Sequence, residues 1–494
     1  MGSGQVTSSV PSEFRGKHVT VAGLGVSGVP AAKVLHGLGA HVTVVNDGDD
    51  DRARTQAAEL RALGVTVRLG DGDTLPEGTE LIVTAPGWQP GKPLFQAAEK
   101  AGVPVWGDVE LAWRLRGPDA APWLCVTGTN GKTTTVRMLA SILKAAGLRT
   151  AAVGNIGVSL LDAVLGEETY DVLAVELSSY QLHWAPSLRA HSAAVLNLAP
   201  DHLDWHGSME AYAADKGRVY EGNRVACVYN VADKATEDLV READVEEGCR
   251  AIGFTLGAPG PSQLGVVDGI LVDRAFVENR QRNAQELAEV SDISPPVAHH
   301  PSEEGASRPH FVAPHNIANA LAAAALARAY GVPATAVRDG LRSFTPDAHR
   351  IAHVADVDGV AYVDDSKATN THAAEASLAA YESIVWIAGG LAKGATFDEL
   401  VAKAAPRLRG AVLIGADRAL IRDALVRHAP EVPVVDLDRT DTGAMLQAVQ
   451  EARRLARPGD TVLLAPACAS MDMFTNYNKR GDAFAEAVRE LGAR

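Results

Sequence analysis

Short apolar runs rich in Val, Ile and Leu alternate along the chain with Ala-rich stretches whose apolar positions recur at helical spacing. This is the pattern of parallel sheets crossed by helices. The first block reads as a strand over 18–23, a helix over 27–38, a strand over 41–46 and further strands over 81–84 and 103–106, closed by a Gly/Pro loop at 117–122. A second block opens with a strand over 123–127 and a helix over 133–146. It continues with strands over 171–176, 193–197 and 225–229 and finishes with helices over 316–330 and 334–343. A hairpin over 351–357 and 360–364, turning at Asp358-Gly359, starts a third block with strands over 384–388, 411–414 and 461–464. Three α/β domains follow, over 15–117, 118–345 and 346–494. One stretch breaks the rhythm: 278–308 is polar and acidic without periodicity, and is read as surface loop within an insertion at about 257–308.

Length and charge narrow the picture. The 494 residues suit three domains of ordinary size, and 47% apolar with 22% charged residues is a globular composition. A formal net charge of −15 argues against nucleic acid and against an anionic membrane surface as partners. Cys125, Cys227, Cys249 and Cys468 are scattered without a CxxC pair, so neither a disulfide framework nor a zinc site is expected. Residues 1–14 are polar and read as a frayed tail, not a signal peptide, and the longest apolar run, 317–327, is too short to insert in a membrane. The expectation is a cytoplasmic monomer. His299 and His300 lie in the polar insertion, where adjacent histidines are far more often solvated than metal-bound, so no role is assigned to them.

The strongest local signal is Gly128-Thr129-Asn130-Gly131-Lys132-Thr133-Thr134, placed between an apolar strand and a helix. Glycines let backbone N–H groups turn toward phosphate oxygens, and the helix N-terminus adds positive potential. Lys132 adds a point charge, and Thr133 offers a hydroxyl to Mg2+. Val126 stands where the strict pattern has glycine, so the loop is a shortened variant. Neighbouring strands end on Glu176 and lead through Asn197 to His202. The carboxyl ends of parallel strands converge on the ligand crevice, which places Glu176 for the metal and His202 at the same edge. Gly23-Leu24-Gly25-Val26-Ser27-Gly28 is a complete GxGxxG with Asn46 and Asp47 at the end of the next strand. Alone it suggests a nicotinamide cofactor, yet any nucleotide diphosphate satisfies the same physics. In the last block, Asp364-Asp365-Ser366-Lys367-Ala368-Thr369-Asn370 and Pro466-Ala467-Cys468-Ala469-Ser470-Met471-Asp472 both follow strands and face a crevice.

Taken together, these motifs resemble those of the Mur ligases, ATP-dependent amide ligases of cell-wall precursor synthesis, over nearly the whole chain. The phosphate loop is similar to the family's own. The clusters at 365–370 and 466–470 are similar to those of the D-glutamate-adding members, and the Asp-Asn-Pro-Arg motif of the diaminopimelate- or lysine-adding members is absent. The residues just before His349-Arg350 depart from the family's usual ones. The resemblance implies a Rossmann-like N-terminal domain, a central P-loop-type ATPase domain and a Rossmann-like C-terminal domain. It implies ligation of D-glutamate to UDP-N-acetylmuramoyl-L-alanine through an acyl phosphate. Val26, Ser27, Asp47 and Gly87 would contact the UDP moiety, and Asn155, Ser178 and Gln181 the muramoyl-alanine. ATP would lie on the 128–134 loop with Asn316 and Asn319 near the adenine, and with Arg350 and Asp365 contacting nucleotide. Thr369, Lys393, Ser470, Met471 and Tyr477 would receive D-glutamate. Lys132, Glu176, His202 and Lys216 would form the catalytic set. Thr133 and Glu176 would hold one Mg2+, and His202 with Lys216, carbamylated by CO2, a second. A folylpolyglutamate synthetase shares the phosphate loop but is not expected to carry the two C-terminal clusters. A nicotinamide-dependent oxidoreductase leaves Lys132 and Glu176 without a role.

Overall fold

The computed structural model describes residues 12–293, 312–345, 349–439 and 441–492, which fall into two compact units, Met1–Phe344 and Thr345–Arg494. The first unit holds two sheets. Strands β1 (His18–Ala22), β2 (His41–Asn46), β3 (Thr66–Leu69), β4 (Leu81–Thr84) and β5 (Val105–Gly107) form a parallel sheet in the order β3-β2-β1-β4-β5. The order reverses between β1 and β4, the switch point at which such sheets open a crevice. The supposed tail is anchored at its end: Phe14 is 1% exposed and packs edge-on against Trp106 at 6.3 Å.

The second sheet has nine strands, in the order β14-β13-β12-β11-β10-β9-β6-β8-β7. They are β6 (Trp123–Thr127), β7 (Ala152–Gly154), β8 (Leu173–Glu176), β9 (Ser192–Val195), β10 (Ala226–Asn230), β11 (Arg250–Phe254), β12 (Gln263–Val267), β13 (Ile270–Asp273) and β14 (Gln285–Glu289). Central strands such as β6, β8 and β9 are buried along their whole length, as expected of parallel strands covered on both faces. The helix Pro314–Ala329 buries an unbroken run from Asn319 to Ala327 and packs on helix Lys132–Ala145, its small side chains permitting close approach. The expected loop over 278–308 is corrected here. Its described part carries β14, antiparallel to β13, with Leu287 and Ala288 facing the core. Acidic and amide positions around two apolar residues hid a strand that is polar on its outer side. His299, His300, Asp347 and Ala348 lie outside the described residues.

The second unit is a six-stranded sheet in the order β15-β16-β20-β17-β18-β19: β15 (Ala352–Val357), β16 (Val360–Asp364), β17 (Ile384–Gly389), β18 (Leu408–Ile414), β19 (Val434–Asp436) and β20 (Thr461–Leu464). Among the described strands of this sheet only the β15–β16 pair is antiparallel, a hairpin turning at Asp358-Gly359. Among the described residues no helix is long and apolar enough to cross a membrane.

Candidate active site

The phosphate loop joins buried β6 to helix Lys132–Ala145. Gly128 and Gly131 adopt φ of 147° and 85°, and a Cβ on Gly131 would lie 2.4 Å from Asn319 Oδ1. Only glycine therefore admits Asn319 to the loop, with Asn316 one turn earlier on the same helix. β6 lies between β8 and β9, Val126 opposite Glu176 and Thr127 opposite Val195, so the strand ends meet at the loop as expected. Asn197 grips it from β9: its Oδ1 accepts from Asn130 N at 2.8 Å and its Nδ2 donates to Asn130 O at 3.1 Å. Thr129 Oγ1 accepts from Ala199 N at 3.0 Å and lies 2.9 Å from Tyr212 OH.

Two lysines converge on one carbonyl. Lys132 Nζ donates to Gly128 O at 2.8 Å and Thr129 O at 2.9 Å, and Lys216 Nζ donates to the same Gly128 O at 3.0 Å. Lys216 is 2% exposed, and burial, followed by the charge of Lys132, pushes its pKa well below the ordinary lysine range. It is the lysine driven toward the neutral amine. Glu176, at the end of β8, is also buried. Its Oε1 accepts from Asn155 Nδ2 at 3.1 Å, while Oε2 is buried without a hydrogen-bond partner. Leaving such an oxygen unpaired is costly, so the position suits a cation, and Thr133 in the first turn of the neighbouring helix adds a second hard oxygen. Among the described residues no group of three or more His, Cys, Asp or Glu is set to hold a metal. Mg2+ fits this sparse set because it commonly completes its shell with water and substrate phosphate. His202 caps helix Leu203–His206 at φ 54°, its half-exposed ring 4.9 Å from Tyr180.

Beside Lys216 lies a cluster that the sequence did not reveal. Asp215 accepts from His183 Nδ1 at 2.9 Å, from His206 Nδ1 at 3.0 Å and from Arg218 Nε at 3.1 Å. Burial would raise this carboxyl's pKa, but the bonds from His183 and His206 outweigh it and hold the value at about 2. His206 Nε2 lies 3.0 Å from Ser179 Oγ. An aspartate beside a lysine reads as a solvated helix position, and its partners sit 32 and 9 positions away.

The glycine turn over 23–28 folds tightly on itself: a Cβ on Gly28 would lie 1.9 Å from Gly23 O. Leu24 N donates to Asn46 Oδ1 at 2.9 Å, and Val26 is 83% exposed. Ser27 Oγ donates to Asp108 Oδ2 at 3.0 Å, which also accepts from Gln181 Nε2 at 3.5 Å. Asp108, missed in the sequence, thus joins the turn expected for UDP to a residue expected for muramoyl-alanine. Burial raises its pKa. Ser178 and Gln181 also form a capping box, Ser178 Oγ accepting from Gln181 N at 3.2 Å and Gln181 Oε1 from Ser178 N at 3.0 Å. Asp47 is held by Lys92 Nζ at 2.9 Å, and Gly87 O accepts from Trp205 Nε1 at 3.2 Å.

In the second unit β16 and β20 are neighbours with Asp364 opposite Leu464, so their two clusters leave one edge side by side. Arg480, 1% exposed, stitches them: Nε donates to Ser366 Oγ at 3.0 Å, Nη2 to Ser366 O at 2.8 Å and Nη1 to Cys468 O at 3.1 Å. Leu391 and Ala469 exchange backbone bonds of 2.9 Å, which brings the Lys393 segment to Ser470 and the exposed Met471. Tyr477 lies under Lys367 at 3.9 Å, and its carbonyl accepts from Ser366 Oγ at 2.8 Å. Thr369 stands on the same loop. Of the five residues expected for D-glutamate, Thr369, Lys393, Ser470 and Met471 lie on loops, and Tyr477 begins the helix Tyr477–Gly492. Asp365 is buried. Its pKa is pushed up to about 6 because burial outweighs the bond from Ser377 and the charge of Arg350. His349 Nδ1 lies 2.6 Å from Asp364 Oδ2.

Comparison with known proteins identifies the chain's relatives. The Mur ligase middle domain matches residues 126–327, and the Mur ligase, glutamate ligase domain, matches residues 349–468. The chain is 88% identical to a UDP-N-acetylmuramoylalanine--D-glutamate ligase of Streptomyces coelicolor, over 98% of this chain and 100% of the relative. It is 58% identical to the ligase of the same name from Thermobifida fusca, over 97% and 99%. In fold it is similar to the crystal structure of MurF from Acinetobacter baumannii, with TM-score 0.56 and 16% identity over 97% of this chain and 92% of that one.

Proposed function

The chain belongs to the Mur ligase family, and from that premise we propose how its residues carry the reaction. It joins D-glutamate to UDP-N-acetylmuramoyl-L-alanine with consumption of ATP, in peptidoglycan precursor synthesis. An alanyl carboxylate is a poor electrophile. One of its oxygens attacks the γ-phosphorus, ADP leaves, and an acyl phosphate results. The D-glutamate amine then attacks the acyl carbon, and phosphate departs as the amide forms and the nitrogen loses its proton. Phosphoryl transfer asks the protein mainly for positioning and charge neutralisation.

Residues 15–117 hold the UDP moiety through Val26, Ser27, Asp47 and Gly87. Residues 118–345 hold ATP through the 128–134 loop with Asn316 and Asn319. Asn155, Ser178 and Gln181 orient the muramoyl-alanine. Residues 346–494 contribute Arg350 and Asp365 to nucleotide and hold D-glutamate through Thr369, Lys393, Ser470, Met471 and Tyr477. Lys132 exchanges its loop carbonyls for phosphate oxygens. Thr133 and Glu176 would hold one Mg2+, and His202 with carbamylated Lys216 a second, supplying positive charge at the phosphates and the acceptor carboxylate. The observation that carries this reading is the convergence of Lys132 and Lys216 on Gly128 O at 2.8 and 3.0 Å. Burial and the neighbouring Lys132 lower the Lys216 pKa and so favour the neutral amine, the form CO2 needs, its Nζ lone pair adding to carbon as one proton leaves. We take the enzyme to act as a monomer in the cytoplasm. The test is phosphate release from ATP in the presence of UDP-N-acetylmuramoyl-L-alanine, with and without D-glutamate. Release should depend on D-glutamate, and its absence would overturn the reading.

A further inference from the structure

We propose that Asp215 is a positioning residue, a single carboxylate that ties together the three short helices carrying Gln181, His202 and Lys216. The proposal rests on the assignment of those three residues to the substrate and metal sites. Helix Ser179–His183 contains Gln181 and ends on His183, whose Nδ1 lies 2.9 Å from both carboxylate oxygens of Asp215. Helix Leu203–His206 starts from its cap His202 and ends on His206, whose Nδ1 lies 3.0 Å from Asp215 Oδ2. Helix Met209–Gly217 carries Asp215 itself, next to Lys216. Successive residues on a helix point about 100° apart, so Asp215 can face the histidines while Lys216 reaches Gly128.

Helices of five, four and nine residues have little stability of their own, so their orientation depends on contacts such as these. The His206 side chain is wholly buried and Asp215 is 6% exposed, so water has little access to that bond, while the His183 side chain is 25% exposed. A second path runs through the rings. Tyr180 stacks on His206 with centroids 5.5 Å apart and planes 10° from parallel, and it also contacts His202 at 4.9 Å and Trp205 at 4.8 Å. A shift of His206 therefore moves the ring that walls His202. Ser179, His206 and Asp215 have the connectivity of a hydrolytic triad, but Ser179 is 2% exposed, so the arrangement orients helices and offers no accessible nucleophile.

The test uses the full-length enzyme with Asp215→Asn, Asp215→Glu and His183→Gln, measuring kcat, KM for each substrate, ADP affinity and melting temperature. Misplacement by about 1 Å can cost up to about 10²-fold, so Asp215→Asn should lower kcat by about 10- to 100-fold and raise KM for UDP-N-acetylmuramoyl-L-alanine, with ADP affinity within about twofold. ADP affinity should change less than kcat because Asn197, from outside the three helices, makes two bonds to Asn130 of the phosphate loop that do not depend on Asp215, although Tyr212 and Lys216 of the Met209–Gly217 helix also touch that loop. His183→Gln, which cuts only the Gln181 arm, should raise that KM with little change in kcat, and Asp215→Glu should restore part of the activity. Wild-type kinetics in Asp215→Asn overturn the proposal. So does a loss in which ADP affinity and melting temperature fall in step with kcat, the mark of a general structural role. If Asp215→Asn does not fold, an unchanged KM in His183→Gln overturns it. Gln181→Ala and Lys216→Ala run alongside. Should they be inactive while Asp215→Asn is normal, the tie alone falls; should they be fully active, the site assignment beneath it falls.

Discussion

The turn over 128–132 in the first unit and the turn over 365–370 in the second both leave the carboxyl ends of parallel strands and feed helices, yet they are fixed by different means. The first is set in part from within, by two glycines at positive φ and Lys132 folded onto its own loop carbonyls, with Asn197, Tyr212 and Lys216 bonding it from farther along the chain. The second is set from afar. Arg480 reaches Ser366 across 114 positions, and Ile351 N and Ser377 Oγ donate to Asp365. One turn concentrates cations and the other buries acids. A loop proposed to meet a triphosphate gains from local positive charge, whereas burial of Asp365 in the other turn gives a pH-dependent destabilisation.

The largest expected break in this comparison is at Lys132. Lys132→Ala should lower D-glutamate-dependent phosphate release by at least about 10²-fold, the scale for losing a preorganised charge contact. Near-normal turnover would show that charge is not what distinguishes the first turn. Lys216→Ala should also lose activity, and short carboxylic acids added to the assay should restore part of it by replacing the carbamate. A fully active variant would exclude a carbamate role. Gly131→Ala forces a Cβ to 2.4 Å from Asn319 Oδ1 at φ 85°. It should cost about 1–3 kcal/mol in thermal unfolding and weaken ADP affinity in calorimetry. An unchanged affinity would separate the glycine from the nucleotide site.

The smallest effect sharpens the acidic side. Asp365 titrates at about 6 in the folded protein, against roughly 4 when unfolded. Between those values the native state binds more protons, so its contribution to stability falls as pH rises through the window, and the destabilisation is complete above about 6. Asp365→Asn should therefore raise the melting temperature near neutral pH, by up to about 3 kcal/mol in stability, and lose that advantage near pH 4 while activity falls. An advantage that does not shrink toward acid pH would assign the gain to packing.

The contrast also explains what the sequence could tell. Lys132, Gly128 and Glu176 were legible because their geometry follows from adjacent residues and from strand ends meeting in a parallel sheet. Arg480 reads as one more basic position on an amphipathic helix, and Asp215, His183 and His206 as polar positions on three separate segments. Their meaning is long-range. Asp108 was hidden for the same reason, its partners Ser27 and Gln181 lying 81 and 73 positions away. The D-glutamate residues came to hand only through family resemblance, since their loops owe their shape to Arg480 and the Leu391–Ala469 pairing.

The strand Gln285–Glu289 ends the nine-stranded sheet, so among the described residues no further strand pairs with one row of its peptide groups. An open rim of this kind is a template on which another chain can polymerise. Leu287 and Ala288 are buried while Glu286 and Glu289 stand exposed, so the strand at this rim carries acidic side chains of the kind that discourage edge-to-edge pairing.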